Sequence, residues 1–365
     1  MSVAPADRLA ATVLARTVEL AEIPAPTHDE ARRAARVSSW WQEDGHGSVD
    51  IDAAGNVWAR LREGNGPAML VCAHLDTVFG NDVDHRVRLE GGRMIGPSVG
   101  DDSIGVAALS ALAGVLEPSR DAMPVWIAAT VGEEGLGNLR GVRNAIANPP
   151  QPLAALIAVE GNYLGRVSTV AVGSVRWRVE MRGPGGHAWE ESSAPSAVHE
   201  AAIVVYRLVS LTQGREGVSL NVGRMSGGEA INARAQSAWF EVDLRADDPA
   251  ALQSFEARCR AVLESSPGVE VRIEDLGNRP AGRMDPGHAL VVAATEALRG
   301  IGMQPRLAAT STDANAALDA GLPAIAVGVT EGSGEHTPRE WIATGPVAAG
   351  LRALAATVNT YGRRL

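Results

Sequence analysis

His74 closes a short apolar run, Ala68-Met69-Leu70-Val71-Cys72-Ala73, and Asp76 follows two residues later. Such a run reads as a buried strand. A histidine at its carboxyl end reaches the crevice above an open α/β sheet, where ligands bind. An acid two residues away can hold the other ring nitrogen and fix the tautomer of a metal-bound imidazole. Three more apolar runs end in a similar way. Val125 to Val131 leads into Gly132-Glu133-Glu134-Gly135, Leu153 to Val159 into Glu160-Gly161, and Ala324 to Val329 into a loop with Glu335-His336-Thr337-Pro338. Asp101 lies in the loop Gly96 to Gly105, after the first of these strands. Each case alone reads as a core histidine, a capped strand or a solvated turn. If the strands share one sheet, His74, Asp101, Glu134, Glu160 and His336 converge on one crevice.

Two histidines and three carboxylates suffice for two divalent metal ions if one carboxylate bridges. Asp101 is assigned as the bridge. His74 and Glu160 complete one metal, Glu134 and His336 the other. Nitrogen and oxygen donors without thiolate suit zinc first, with cobalt or manganese as alternatives. Two dications against three carboxylates leave one positive charge, which a bridging hydroxide cancels. Ions roughly 3.5–4 Å apart lower the pKa of that water and polarise a carbonyl. Glu133, beside Glu134, is placed to act as general base and to pass the proton to a leaving amine. Asp76 joins Glu133 in the catalytic set through its hold on His74. The expected reaction is metal-assisted hydrolysis of an amide.

The elements that must position these residues follow from the rest of the chain. It has 365 residues and is 45% hydrophobic, which favours two domains. Its net charge of −10 offers no bulk attraction to nucleic acid or to anionic membranes, and neither is expected as a partner. No window approaches about 18 consecutive apolar residues, and Met1 to Ala11 lacks a signal-peptide segment. A cytoplasmic location is expected. Cys72 and Cys259 make no disulfide framework. All 33 basic residues are arginine. That excludes a P-loop lysine, a Schiff-base lysine, pyridoxal chemistry and a Ser-Lys pair.

Residues 7–22 and 28–44 have helical spacing, and Asp101 or Asp102 is expected to cap a helix that runs to Leu116. The middle of the chain differs. Val175 to Arg182 alternates apolar and charged residues, as a one-sided antiparallel strand does. Helix Ala197 to Leu211, strands Val218 to Val222 and Ala238 to Leu244, helix Pro249 to Ser265 and strand Val269 to Ile273 follow. The order β-α-β-β-α-β is ferredoxin-like. The expected fold is α/β: a mixed, mostly parallel catalytic sheet with an inserted ferredoxin-like α+β lid or dimerisation domain. The boundaries are 1–172 with 283–365 for the di-metal domain, and 173–282 for the insertion.

These motifs together resemble the M20 zinc metallopeptidases and amidohydrolases over nearly the whole chain. His74-Leu75-Asp76, Gly100-Asp101-Asp102, Glu133-Glu134, Val159-Glu160-Gly161 and His336 match the family's metal and base motifs. Gly183-Pro184-Gly185-Gly186-His187-Ala188 resembles its smaller-domain histidine motif. The resemblance implies that His187 reaches a neighbouring active site across a homodimer and helps hold the substrate carbonyl oxygen. It likewise implies substrate contacts for Asn232 and Arg245. By residue chemistry alone, His187 and Asn232 also read as turn residues, Arg245 as a partner of Asp243 or Asp247, and Asp313 as a helix cap. Ser311-Thr312-Asp313-Ala314-Asn315 and His336-Thr337-Pro338-x-Glu340-Trp341 look like the peptidase T side of the family. Ser103 stands where the family often has lysine. The activity so implied is aminopeptidase or dipeptidase cleavage of short peptides. An N-acyl-amino-acid deacylase or N-carbamoyl amidohydrolase is the alternative within enzymes. A catalytically inactive binding protein is the alternative from another class.

Overall fold

The computed structural model describes residues 5–117, 122–265 and 268–363. Contacts divide the chain into two compact units, Met1–Ala171 with Arg283–Leu365, and Val172–Gly282.

The first unit is built on a mixed sheet. From one edge its strands run Gly47–Ile51, Val57–Arg62, Val125–Thr130, Ala68–His74, Leu153–Val159, Ala324–Val327 and Arg166–Ala171, with Arg306–Thr310 beside the last. The four apolar strands of the sequence lie side by side and parallel at its centre. They are apolar along their whole length because both faces are covered. Met69, Val71 and Ala73 point into one core, with helices Pro5–Ala21, Ala31–Glu43, Ile104–Leu112, Ala289–Gly300 and Val347–Gly362. Ala68, Leu70 and Cys72 point into the other, against helices Arg140–Ala147 and Ala314–Asp319. That alternation is the period of two of a strand.

Register decides where the strands end. His74 pairs with Thr130, and Val327 pairs with Val159. The parallel strands therefore finish nearly level, and the segments after them meet above one edge. A small antiparallel sheet, with Arg93–Ile95 paired to Trp341–Ala343, brings residue 340 against the loop before Asp101. Gly96 N donates to Glu340 O at 2.9 Å.

The second unit has the expected β-α-β-β-α-β order, with strands Gly173–Arg182, Val218–Gly227, Ser237–Ala246 and Glu270–Arg279 and helices Ala197–Ser210 and Pro249–Glu264. In chain order its strands stand 2-3-1-4 across the sheet. Trp177, Val179 and Met181 face Phe240, Val242, Leu244 and the helix residues Val204, Leu208, Phe255 and Cys259 in one core. Arg176, Arg178 and Glu180 alternate to the other face. Two of the four strands, the second and the fourth, extend well beyond the sequence reading, because glycines and charges at their ends stay paired in the ladder. Among the described residues, no helix is long and apolar enough to cross a membrane.

One close approach gives a test of this packing. A Cβ added at Gly350, in helix Val347–Gly362, would lie 1.9 Å from the Val329 carbonyl oxygen. Gly350→Ala should cost about 1–3 kcal/mol of stability, read as a lower urea midpoint with unchanged slope. An unchanged midpoint would contradict the helix position.

Candidate metal centre

Each strand end contributes one part of the site. His74 is the last residue of its strand, and Glu133 and Glu134 follow Val125–Thr130 closely. Glu160 comes directly after Val159, and its N–H donates to Val327 O at 2.8 Å. Asp101 and His336 come from loops. His336 holds a φ of +62°, in the left-handed region that a non-glycine residue adopts at a cost.

The donor atoms form three overlapping groups, each within 4.8 Å: His74, Asp101 and Glu160; Asp101, Glu134 and His336; and His74, Glu133 and Glu134. The first two are the sets expected for the two metals, and Asp101 is common to both. His74 Nε2 lies 2.9 Å from Asp101 Oδ1. His336 Nε2 lies 3.2 Å from Asp101 Oδ2 and 3.1 Å from Glu134 Oε1. His74, Glu133, Glu134 and Glu160 are buried, whereas His336 stands at the open side.

Electrostatics supports a cationic occupant. Burial, then the Asp101 charge, pushes Glu134 up to about 7. Burial also lifts Glu160 well above the carboxylate range, and Asp102, Glu133 and Asp101 add to it. Hydrogen bonds to Asp101 and Glu134 raise His336 to about 10. For Asp101 burial opposes ionisation, but His336 and His74 outweigh it and hold the carboxyl well below its usual range. Buried acids at this density either take up protons or pair with cations. Imidazole and carboxylate donors, with no thiolate in the groups, fit zinc, cobalt or manganese.

Asp76 stands at the second ring nitrogen of His74 and meets it most closely through its main chain. His74 Nδ1 donates to the main-chain carbonyl of Asp76 at 3.0 Å, while the Asp76 carboxylate stands at 3.6 Å. The tautomer is still fixed with Nε2 toward the donor cluster. The carboxylate instead accepts N–H bonds from Glu133 and Glu134, both at 2.9 Å, and the Thr27 hydroxyl at 2.8 Å. It therefore sets the backbone that carries Glu133 and Glu134.

Two further carboxylates work the same way. Asp102 accepts from His74 N at 3.2 Å and Gly161 N at 2.9 Å. Neither Asp101 nor Asp102 caps the helix, which begins at Ile104 after Ser103. Glu340 accepts from Gly100 N and Asp101 N, both at 2.7 Å, and from Ser98 N at 3.1 Å. Asp313 precedes helix Ala314–Asp319 but makes no cap bond; it is buried and lies 2.6 Å from Thr130 Oγ1. In the sequence, Asp102, Asp313 and Glu340 read only as caps or motif letters.

The remaining predicted residues lie in the second unit. His187 pairs with Ala233, and Ala188 N donates to Asn232 O at 3.0 Å, so His187 and Asn232 are neighbours and exposed. The N–H groups of Trp189 and Glu190 donate to His187 Nδ1 at 3.3 Å each. Nε2 therefore carries the proton in the neutral ring. Arg245 is not brought to them. It stands eight residues along the strand from Ser237, roughly 26 Å at strand rise, and bonds Asp243 Oδ2 at 2.8 and 3.0 Å.

Comparison with known proteins agrees with this layout. The sequence profile of peptidase family M20/M25/M40 matches residues 70–360. A Mycobacterium tuberculosis protein provisionally named succinyl-diaminopimelate desuccinylase is 26% identical over 353 residues, covering 92% of this chain and 94% of that protein. Crystal structures of a Staphylococcus aureus tripeptidase and of the Bacillus cereus aminopeptidase PepT superpose with TM-scores of 0.81 and 0.78, each at 20% identity. They cover 97% and 96% of this chain, and 99% and 98% of those structures. The chain belongs to the M20/M25/M40 peptidase family and is a metal-dependent hydrolase.

The raised groups set the pH response of the metal-free protein. Burial, with the Asp101 charge, also lifts Glu340 to about 8. Glu134, Glu340 and His336 thus bind protons more tightly folded than unfolded. Their stabilisation is complete below the unfolded values and is lost as pH rises through the folded ones. Chelator-treated protein should melt at falling temperature from about pH 5 to about pH 9. Added zinc should restore most at the alkaline end, where fewer protons compete. A metal-free melting temperature that climbs across this window would contradict the arrangement.

Proposed function

We propose that this chain is a two-metal aminopeptidase or dipeptidase that cleaves an amide bond in short peptides. The observation that carries the reading is the pair of donor groups sharing Asp101, with Glu133 beside them. His74, Asp101 and Glu160 would hold one divalent ion, and Asp101, Glu134 and His336 the other, with zinc favoured. Such ions supply a water of lowered pKa and polarise the scissile carbonyl.

The protein's own residues do the rest. Glu133 takes the proton of the attacking water and hands it to the leaving nitrogen. Asp76 fixes the peptide groups on either side of Glu133, so the base keeps its place. His187, with its proton on Nε2, donates to the substrate oxygen as charge develops there. Asn232 sits beside it as a second substrate contact. The second unit serves as lid and as the face of a homodimer. In support, Ile203, Tyr206 and Val209 form an exposed apolar stripe on helix Ala197–Ser210, and this helix packs beside the edge strand Val218–Gly227. The names of the similar tripeptidase and aminopeptidase favour a free-amine substrate. The named desuccinylase favours the second reading, an N-acyl-amino-acid deacylase, with N-carbamoyl amino acids as related substrates.

A mixture of di- and tripeptides with N-acetyl, N-succinyl and N-carbamoyl amino acids, followed by mass spectrometry, separates these readings. Zinc-loaded protein should consume the free-amine peptides alone. Consumption of blocked amino acids alone would move the enzyme to the deacylases. Glu133→Gln should lower kcat by about 100- to 10,000-fold with both metals retained; unchanged turnover would refute the mechanism. Co-expressed Glu133→Gln and His187→Ala chains should recover roughly a quarter of wild-type activity if His187 serves the other subunit of a symmetric pair. No recovery would refute the cross-subunit role.

A further inference from the structure

Arg33 lies on helix Ala31–Glu43, on the buried stripe of Arg33, Val37, Trp40 and Trp41. Its side chain has no solvent exposure. Burying a guanidinium is costly unless its donors and its charge are both met. The donors are met by neutral oxygens. Nε donates to Ile23 O at 2.8 Å, Nη1 to Leu75 O at 2.9 Å, and Nη2 to Ser98 Oγ at 2.9 Å. The charge is met at one remove: Asp76, Glu340 and Asp102 are the acids whose field reaches it. Among the described residues none of them forms an ion pair with Arg33 within 4.0 Å. Each spends its oxygens on the backbone of a donor-bearing segment.

The two fork contacts fall on either side of the donor cluster. Leu75 follows His74, and Ser98 precedes Asp101 by three residues. Ser98 is a junction in its own right. Its N–H donates to Glu340 Oε2, and Ser103 N donates to Ser98 O at 3.0 Å. A planar fork that spans Leu75 O and Ser98 Oγ sets how far apart the His74 and Asp101 segments stand. Lysine carries the same charge but has no such fork. A purely apolar anchor would fill the space and hold neither segment.

We propose that Arg33 is a positioning residue of the metal centre: it fixes the spacing of the His74 and Asp101 segments through Leu75 and Ser98, and its charge offsets the outer ring of Asp76, Asp102 and Glu340. The inference rests on the two-metal reading above. It makes metal affinity, rather than folding alone, depend on a side chain that touches no ligand atom.

The test is zinc affinity by competition with a chromophoric chelator, measured well below the melting temperature of each metal-free protein. Arg33→Lys should bind zinc about 10- to 100-fold more weakly, the usual cost of losing a partner outside the ligands. Ser98→Ala, which removes one fork acceptor and no charge, should weaken binding in the same direction by a smaller factor. If Arg33→Lys fails to fold, Ser98→Ala decides alone. Lower melting temperatures with wild-type affinity in the folded variants would overturn the inference and leave Arg33 a structural anchor. Wild-type protein that holds no zinc would overturn the two-metal reading, and the inference with it.

Discussion

Too much negative charge in too little water is the constraint on which the first unit depends. Asp76, Asp101, Asp102, Glu133, Glu134, Glu160, Asp313 and Glu340 gather at one edge of one sheet, and all but Asp101 are buried. Isolated, such carboxylates would unfold the protein or take up protons. The fold meets the problem in two ways. Asp76, Asp102 and Glu340 are satisfied by backbone N–H groups, each reaching a segment other than its own, and Asp313 accepts from the Thr130 hydroxyl. Of the inner acids, Asp101 and Glu134 face imidazole nitrogens across gaps of 2.9–3.2 Å, where a dication can replace a proton.

This division gives the site its rigidity. Asp76 ties the end of the His74 strand to Glu133 and Glu134, Asp102 ties His74 to Gly161, and Glu340 ties the Trp341 strand to the Asp101 loop. Segments far apart in sequence are therefore joined by single side chains, each accepting two or more charge-assisted bonds. Long helices pack one face of the sheet, and the polar residues buried on them, such as Thr17, Ser110, Thr357 and Asn359, are otherwise uncharged among the described residues. Arg33 is the exception, and it lies directly behind this network.

Strand ends carried most of what was legible in the sequence. An apolar run that stops at His74, or just before Glu134 and Glu160, declares both a buried strand and a residue aimed at the crevice. The parallel register then places the ends together. The supporting acids were not legible, because accepting a backbone N–H leaves no periodic trace. Asp102 and Asp313 sit at helix starts, where a cap is the ordinary reading, yet both turn their carboxylates toward the sheet. Arg33 was readable in retrospect, since it shares a helical stripe with Val37, Trp40 and Trp41. The inserted unit was legible from its alternating strands, but strand lengths were not, because glycine and charged residues continue the ladder beyond the apolar core.

The strand ends are proposed to build one two-metal centre bridged by Asp101. Anomalous diffraction at the zinc edge, from crystals grown with zinc, tests it most directly. Two peaks flanking Asp101 are expected, one touching His74 and Glu160, the other Glu134 and His336. A single peak away from Asp101, or two peaks that share no ligand, would contradict it.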